Sequence, residues 1–188
     1  MIAALENLSR IWGIQIKLFL LCALEEQAMV VFAKAVAADK RPFDVADYLI
    51  AECRERGEIL TNLKLQKLLY YADAWNLALR DEPLFDEEFK AWVHGPVLLS
   101  QYHRFKDYRW HPITEEIEKP AIGDVLAGFL DEIIEVFGSE TAVSLELMTH
   151  REAPWIEARG DTPPTEPSTA TISKETMKHF YRGFAANG

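Results

Sequence analysis

The chain has 188 residues and 49% hydrophobic content, enough to bury one core without disulfides or metal and close to the usual size of a single domain. Twenty Lys and Arg set against thirty Asp and Glu leave a net charge of −10, which disfavours nucleic acid as a partner and suits a basic or apolar surface, although plain solubility would require no less. Two cysteines, Cys22 and Cys53, stand in no CxxC or Cys/His spacing, so no disulfide framework or zinc site is legible and a reducing cytosol fits.

Residues 1–42 read as a helical extension without clear start or stop signals, and one expectation for it is that translation begins at Met29 or nearby. Gln15 and Lys17 interrupt the apolar stretch from Ile11 to Leu24, which is shorter than the roughly 20 residues a membrane span needs. Glu25, Glu26 and Gln27 follow it where a secretion signal would carry small residues, so the expectation is a cytoplasmic chain with no membrane partner. The domain itself is expected over residues 43–182, followed by a tail, 183–188.

Val45, Tyr48, Leu49 and Cys53 recur at helical spacing from Asp44 to Arg56, with Asp44 suited to the N-cap and Gly57 to the stop. Thr61 opens a second helix through Leu65, Leu68, Leu69, Ala72 and Leu79, with Tyr71 and Trp75 four apart on another flank, and the Asp81-Glu82-Pro83 turn ends it. Alternation from Glu88 to His94 predicts a short strand whose partner is sought between Trp110 and Lys119. Gly95-Pro96 then makes a turn that places proline at the first position of a helix from Pro96 to about Lys106. Asp124 caps a helix whose wide apolar face, Val125 to Phe137, places it centrally. One more helix is read from Ser139 to Met148, a loop from Gly160 to Thr171, and a last helix capped by Ser173 through Tyr181. The fold class is mainly α, a single-domain helical bundle with a small β-hairpin.

The string from Thr61 to Trp75, with Lys64-Leu65-Gln66-Lys67-Leu68 ahead of Tyr70, Tyr71 and Trp75, resembles the signature helix of the Panacea (SocA-like) antitoxin domain. Three further blocks agree in order: Pro83-Leu84-Phe85 with Phe89 to Trp92, Gly95-Pro96-Val97 with Tyr102, and Thr149-His150 with Pro154, Trp155 and Arg159. With the closing helix from Ile172 to Tyr181, the resemblance covers roughly residues 43–182. It implies an antitoxin that neutralises a cognate protein toxin encoded nearby by direct binding; one branch of the family also delivers its toxin to the ClpXP protease. Two departures stand out. Leu98-Leu99 replaces a common Val-Pro pair, and the N-terminal forty residues match no DNA-binding module, which weighs against direct autoregulation.

The candidate toxin-binding or family-motif residues are Lys64, Gln66, Lys67, Tyr71, Trp75, Trp92, Tyr102, His150 and Trp155. Lys64 and Lys67 sit on early helical turns where the dipole disfavours cations, so each either meets a partner acid or lays its stem over the core. Tyr71 and Trp75 are either interface anchors or core. Gly95 and Pro96 read as architectural, as do Thr149 and Pro154. Thr149 and His150 close a helix end, with the imidazole bonding a free carbonyl or favoured by the dipole, and Trp155 packs back as a plug. The His150-x-Glu152 pair superficially matches a zinc deaminase, but no Pro-Cys-x-x-Cys follows. HExxH, GxSxG, GxxxxGK and GxGxxG are all missing, so no catalytic, metal or cofactor residue is assigned and the chain reads as a non-enzyme. The alternatives are a hydrolase using a carboxylate with His150 and a phage-derived interaction protein.

Overall fold

A computed structural model describes residues 42–186, and the side chains of 185 and 186 are not part of that description. The expectations for the N-terminal extension, namely a start at Met29, the stretch Ile11 to Leu24 and Cys22, lie outside the described residues. Within them are seven α-helices, one 3-10 turn and one two-stranded hairpin, a mainly α fold as the sequence predicts.

Helix α1 (Pro42–Glu55) buries Val45, Ala46, Tyr48, Leu49 and Cys53. Gly57 ends it at φ 83, a conformation glycine reaches without strain, and the Glu58 N–H then closes onto Cys53 O at 2.8 Å. Helix α2 (Asn62–Arg80) is held at its start by Thr61, whose Oγ1 accepts the Lys64 N–H at 3.2 Å. Asp81, left-handed at φ 66, ends it with its N–H on Leu77 O.

Nearly every residue of α2 from Asn62 to Ala78 is buried, as expected of a helix surrounded by others. The hairpin, α4 (Asp124–Phe137), α5 (Ala142–Thr149) and α7 (Lys174–Ala186) all pack against it, with α7 the most extensive neighbour. The central helix is therefore α2. Helix α4, expected at the centre, flanks it and leaves Val125 exposed. Its N-cap is Gly123 at φ 79, with Asp124 in the first turn rather than at the cap, and Gly138 follows its last residue.

Strand β1 (Lys90–Trp92) pairs antiparallel with β2 (Gly95–Val97) in the register Lys90 to Val97, Ala91 to Pro96 and Trp92 to Gly95. Two expectations are corrected here. The strand's partner is the adjacent Gly95-Pro96-Val97, reversed through Val93 and His94, rather than a segment between Trp110 and Lys119. That segment instead ties back to the entrance of α2, where Ile113 N donates to Leu60 O at 2.8 Å. Pro96 lies in a strand, and α3 begins only at Leu99 (Leu99–Phe105), because Gly95–Val97 stays extended in pairing with β1 and Leu98, its N–H on the Gln66 side chain, is extended too.

The other edge of β1 meets the loop before α7: Ala91 N donates to Ala170 O and Ile172 N to Phe89 O, both at 2.8 Å. A 3-10 turn (Lys106–Tyr108) follows α3. Helix α5 starts at Ala142, capped by Thr141, rather than at Ser139. Helix α6 (Ala153–Arg159), with Pro154 in its first turn, fills a stretch that had no assigned element. Ser173 caps α7, which runs past Tyr181 to Ala186. Among the described residues no helix is long and apolar enough to cross a membrane.

Candidate functional site

The polar residues of the signature string point inward. Lys67 on α2 is completely buried, and its Nζ donates to Pro96 O at 3.2 Å. Gly95 stands against the same ammonium: a Cβ there would lie 2.7 Å from Lys67 Nζ and 2.8 Å from Thr149 Oγ1. Its φ of 92 excludes an unstrained side chain as well. Lys67, Gly95, Pro96 and Thr149, read from three separate blocks, therefore meet at one point between α2, the hairpin and the end of α5. Among the described residues no carboxylate pairs directly with Lys67, and it has no solvated face.

The charge compensation for Lys67 comes from two glutamates. Burial pushes the Lys67 ammonium down to about 7, and the fields of Glu146 and Glu152 oppose that shift. The carboxyl of Glu152 is turned inward, with Oε1 accepting from Tyr71 Oη at 3.0 Å and Oε2 from Tyr181 Oη at 2.7 Å. Its desolvation raises it to about 7, against the lowering effect of the Tyr181 and Tyr71 bonds and of Lys67. Tyr71 also stacks on Phe137 at 4.1 Å, and Tyr181 meets Trp75 edge to face at 5.5 Å. Tyr71 and Trp75 are thus core residues, and the indole N–H of Trp75 has no hydrogen-bond partner among the described residues.

The remaining motif residues fix neighbouring elements. Gln66 accepts the Leu98 N–H at 2.8 Å and donates to Asn62 Oδ1 at 3.1 Å, while Asn62 donates to Tyr102 O at 3.2 Å. That relay clamps the start of α3 to α2. Lys64 stands apart from it, its ammonium on Glu58 Oε2 at 2.9 Å and Gly138 O at 2.5 Å.

His150 follows α5, and Thr149 Oγ1 closes the last turn on Glu146 O at 2.8 Å. The imidazole stacks on Trp155 at 4.1 Å, bonds the Val93 backbone instead of its own helix end, and keeps Nε2 buried without a partner. Burial holds its pKa below the ordinary histidine value. Pro154 and Trp155 are buried, with Trp155 Nε1 donating to Trp92 O at 3.0 Å, and Arg159 reaches Ala91 O at 2.8 Å and Pro163 O at 2.6 Å.

Residues 65–156 match the family described as antitoxin SocA-like, Panacea domain. No curated protein and no solved structure matches the chain. The Panacea match runs from α2 into α6 and contains Lys67, Tyr71, Gly95, Pro96, Thr149 and Glu152, whereas Lys64, Arg159 and Tyr181 lie beyond its ends.

Two of the candidate residues reach the surface together. Trp92 and Tyr102, edge to face at 4.7 Å, line a groove of about 270 Å³ with Asn62, Gln66, His94 and Val97. Lys106, Arg109 and Trp110 complete the groove and were not singled out from sequence. A cluster of rings and cations with no fixed spacing leaves no motif to find. Asp73 was also missed: completely buried, it accepts the Leu84 and Phe85 N–H groups at 2.6 and 3.2 Å and pairs with Lys174 at 3.2 Å. Its only sequence signal is a lone acid inside an apolar helix.

Proposed function

We propose that this chain is an antitoxin that neutralises a protein toxin encoded beside it by holding it, without catalysis, in the cytoplasm. The Panacea match over residues 65–156 carries the reading. The placement of the motif supports it: Lys67, Gln66, Tyr71, Trp75 and Glu152 build a scaffold, leaving recognition to surface groups such as Trp92 and Tyr102. A hydrolase built on His150 and Glu152 has little support, because both Glu152 oxygens take phenol protons and the imidazole is packed on Trp155.

Co-expression with the product of the adjacent gene tests the proposal. Rescue of growth and a co-purifying complex are expected, and absence of both overturns it. Delivery to ClpXP is the finer form of the same proposal. It requires the toxin's half-life to shorten only when both this chain and the protease are present, and an unchanged half-life leaves neutralisation by binding alone.

A further inference from the structure

The groove beside the start of α2 combines features that a purely structural surface does not need. Trp110 is 65% exposed yet held edge to face against His94 at 5.4 Å. Arg109, which precedes it, sits at φ 54 and ψ −113, a backbone state costly for any residue with a side chain. That turn fixes where Arg109 and Trp110 enter the groove wall, with Arg109 N on Lys106 O at 3.0 Å and His111 N on Tyr108 O at 2.8 Å.

The chemistry of the lining is one-sided. Lys106 and Arg109 are exposed and have no ion-pair partner among the described residues, and the lining contains no carboxylate. Glu146, which reaches His94 at 3.1 Å, is engaged by that contact. On the floor, Gln66 and Asn62 are already bonded to Leu98 N, to each other and to Tyr102 O, which leaves the wall rings and the two cations free to receive a ligand. A positive, ring-lined groove on a chain of net charge −10 is a local inversion of the whole molecule's charge.

We propose that this groove seats an acidic segment of the toxin that carries a large apolar side chain, with the apolar group between Trp92, Tyr102 and Trp110 and the carboxylates on Lys106 and Arg109. The inference rests on the antitoxin reading and adds the place and chemistry of contact. Interface hot spots are enriched in Trp, Tyr and Arg, and hydrogen bonds from cations to carboxylates are stronger than neutral ones.

The test uses the full chain and the purified toxin, with Trp110→Ala and the double variant Lys106→Glu/Arg109→Glu, and with Leu147→Asp as a control on the exposed face of α5. Each groove variant is expected to weaken toxin binding by about tenfold or more while the melting temperature stays at the wild-type value, and Leu147→Asp to leave binding unchanged. At least one single Asp→Lys or Glu→Lys reversal in the toxin is expected to restore binding to the double variant. Wild-type affinity in the groove variants, or failure of every toxin reversal to restore binding, overturns the groove while leaving the antitoxin reading intact. A wild-type chain that binds no toxin removes both. An ATP-dependent change in tryptophan fluorescence abolished by Lys106→Glu would assign the groove to nucleotides and also overturn the proposal.

Discussion

At Lys67 and Glu152 opposite charges are held in the interior without direct pairing, and the two groups make opposite contributions to stability as pH changes. Glu152 has its folded value raised to about 7 from 4.5, so between those values the folded chain holds the extra proton and stability falls as pH rises. Lys67 is lowered to about 7 from 10.5, so above neutrality the unfolded chain holds the extra proton and stability rises with pH. Tyr181→Phe keeps the ring contacts but removes one donor to Glu152, which moves the carboxyl further up. The variant is expected to lose about 2 kcal/mol near about pH 8.5, where the carboxylate must be charged, and clearly less near about pH 5.5. Urea unfolding at the two pH values, with the Glu152 carboxyl followed by carbon NMR, checks this; an equal loss at both would show that Glu152 does not ionise there. Gly95→Ala meets Lys67 and Thr149 and requires φ 92 of alanine, so a loss of about 2 kcal/mol or more is expected from the same unfolding measurement. The glycine was legible as architectural, but the reason for it was not, because it lies in two side chains far away in sequence. Burial of Lys67 was equally hidden, since lysine defaults to the surface and only tertiary contact overrides that preference.

Elements were legible where their ends carry local chemistry. Helix α2 is bounded by the Thr61 cap and the Asp81-Glu82-Pro83 turn, and its apolar spacing runs between them. Thr61→Ala removes the acceptor of the Lys64 N–H and is expected to cost about 1 kcal/mol, measured as a lower urea midpoint with an unchanged slope. The hairpin was misread because Val93-His94 carries none of the Asn-Gly or Asp-Gly signal of a two-residue reversal, whereas Gly95-Pro96 carries the signal of a helix entrance. Pairing with β1 decides the matter: it holds Gly95-Pro96-Val97 extended, so the helix starts only after Leu98. Helix α4 illustrates a different failure, since a wide apolar face shows that a helix is half-buried, while a helix buried on all sides, such as α2, shows a weaker periodicity.

For the whole molecule, α2 serves as the axle and the Panacea match wraps around it from Leu65 to Ile156. Helix α7 completes the core from outside the match through Tyr181, Met177 and the Lys174 bridge to Asp73. The fold class and the match over residues 65–156 were legible because several short blocks occur in a fixed order. The groove was not, because most of the singled-out residues are scaffold, and of those that line it Gln66 is buried in its floor while Trp92 and Tyr102 form its wall. A scaffold built this way keeps the polar interior that sets the fold apart from an exposed groove lined by rings and cations. The most direct measurement is a calorimetric titration of the full chain with the purified product of the adjacent gene, both folded, alongside growth of cells that make both. The expected result is saturable binding at about micromolar Kd or tighter together with loss of toxicity; two folded proteins that give no binding heat at several temperatures, and undiminished toxicity in cells making both, would contradict the account.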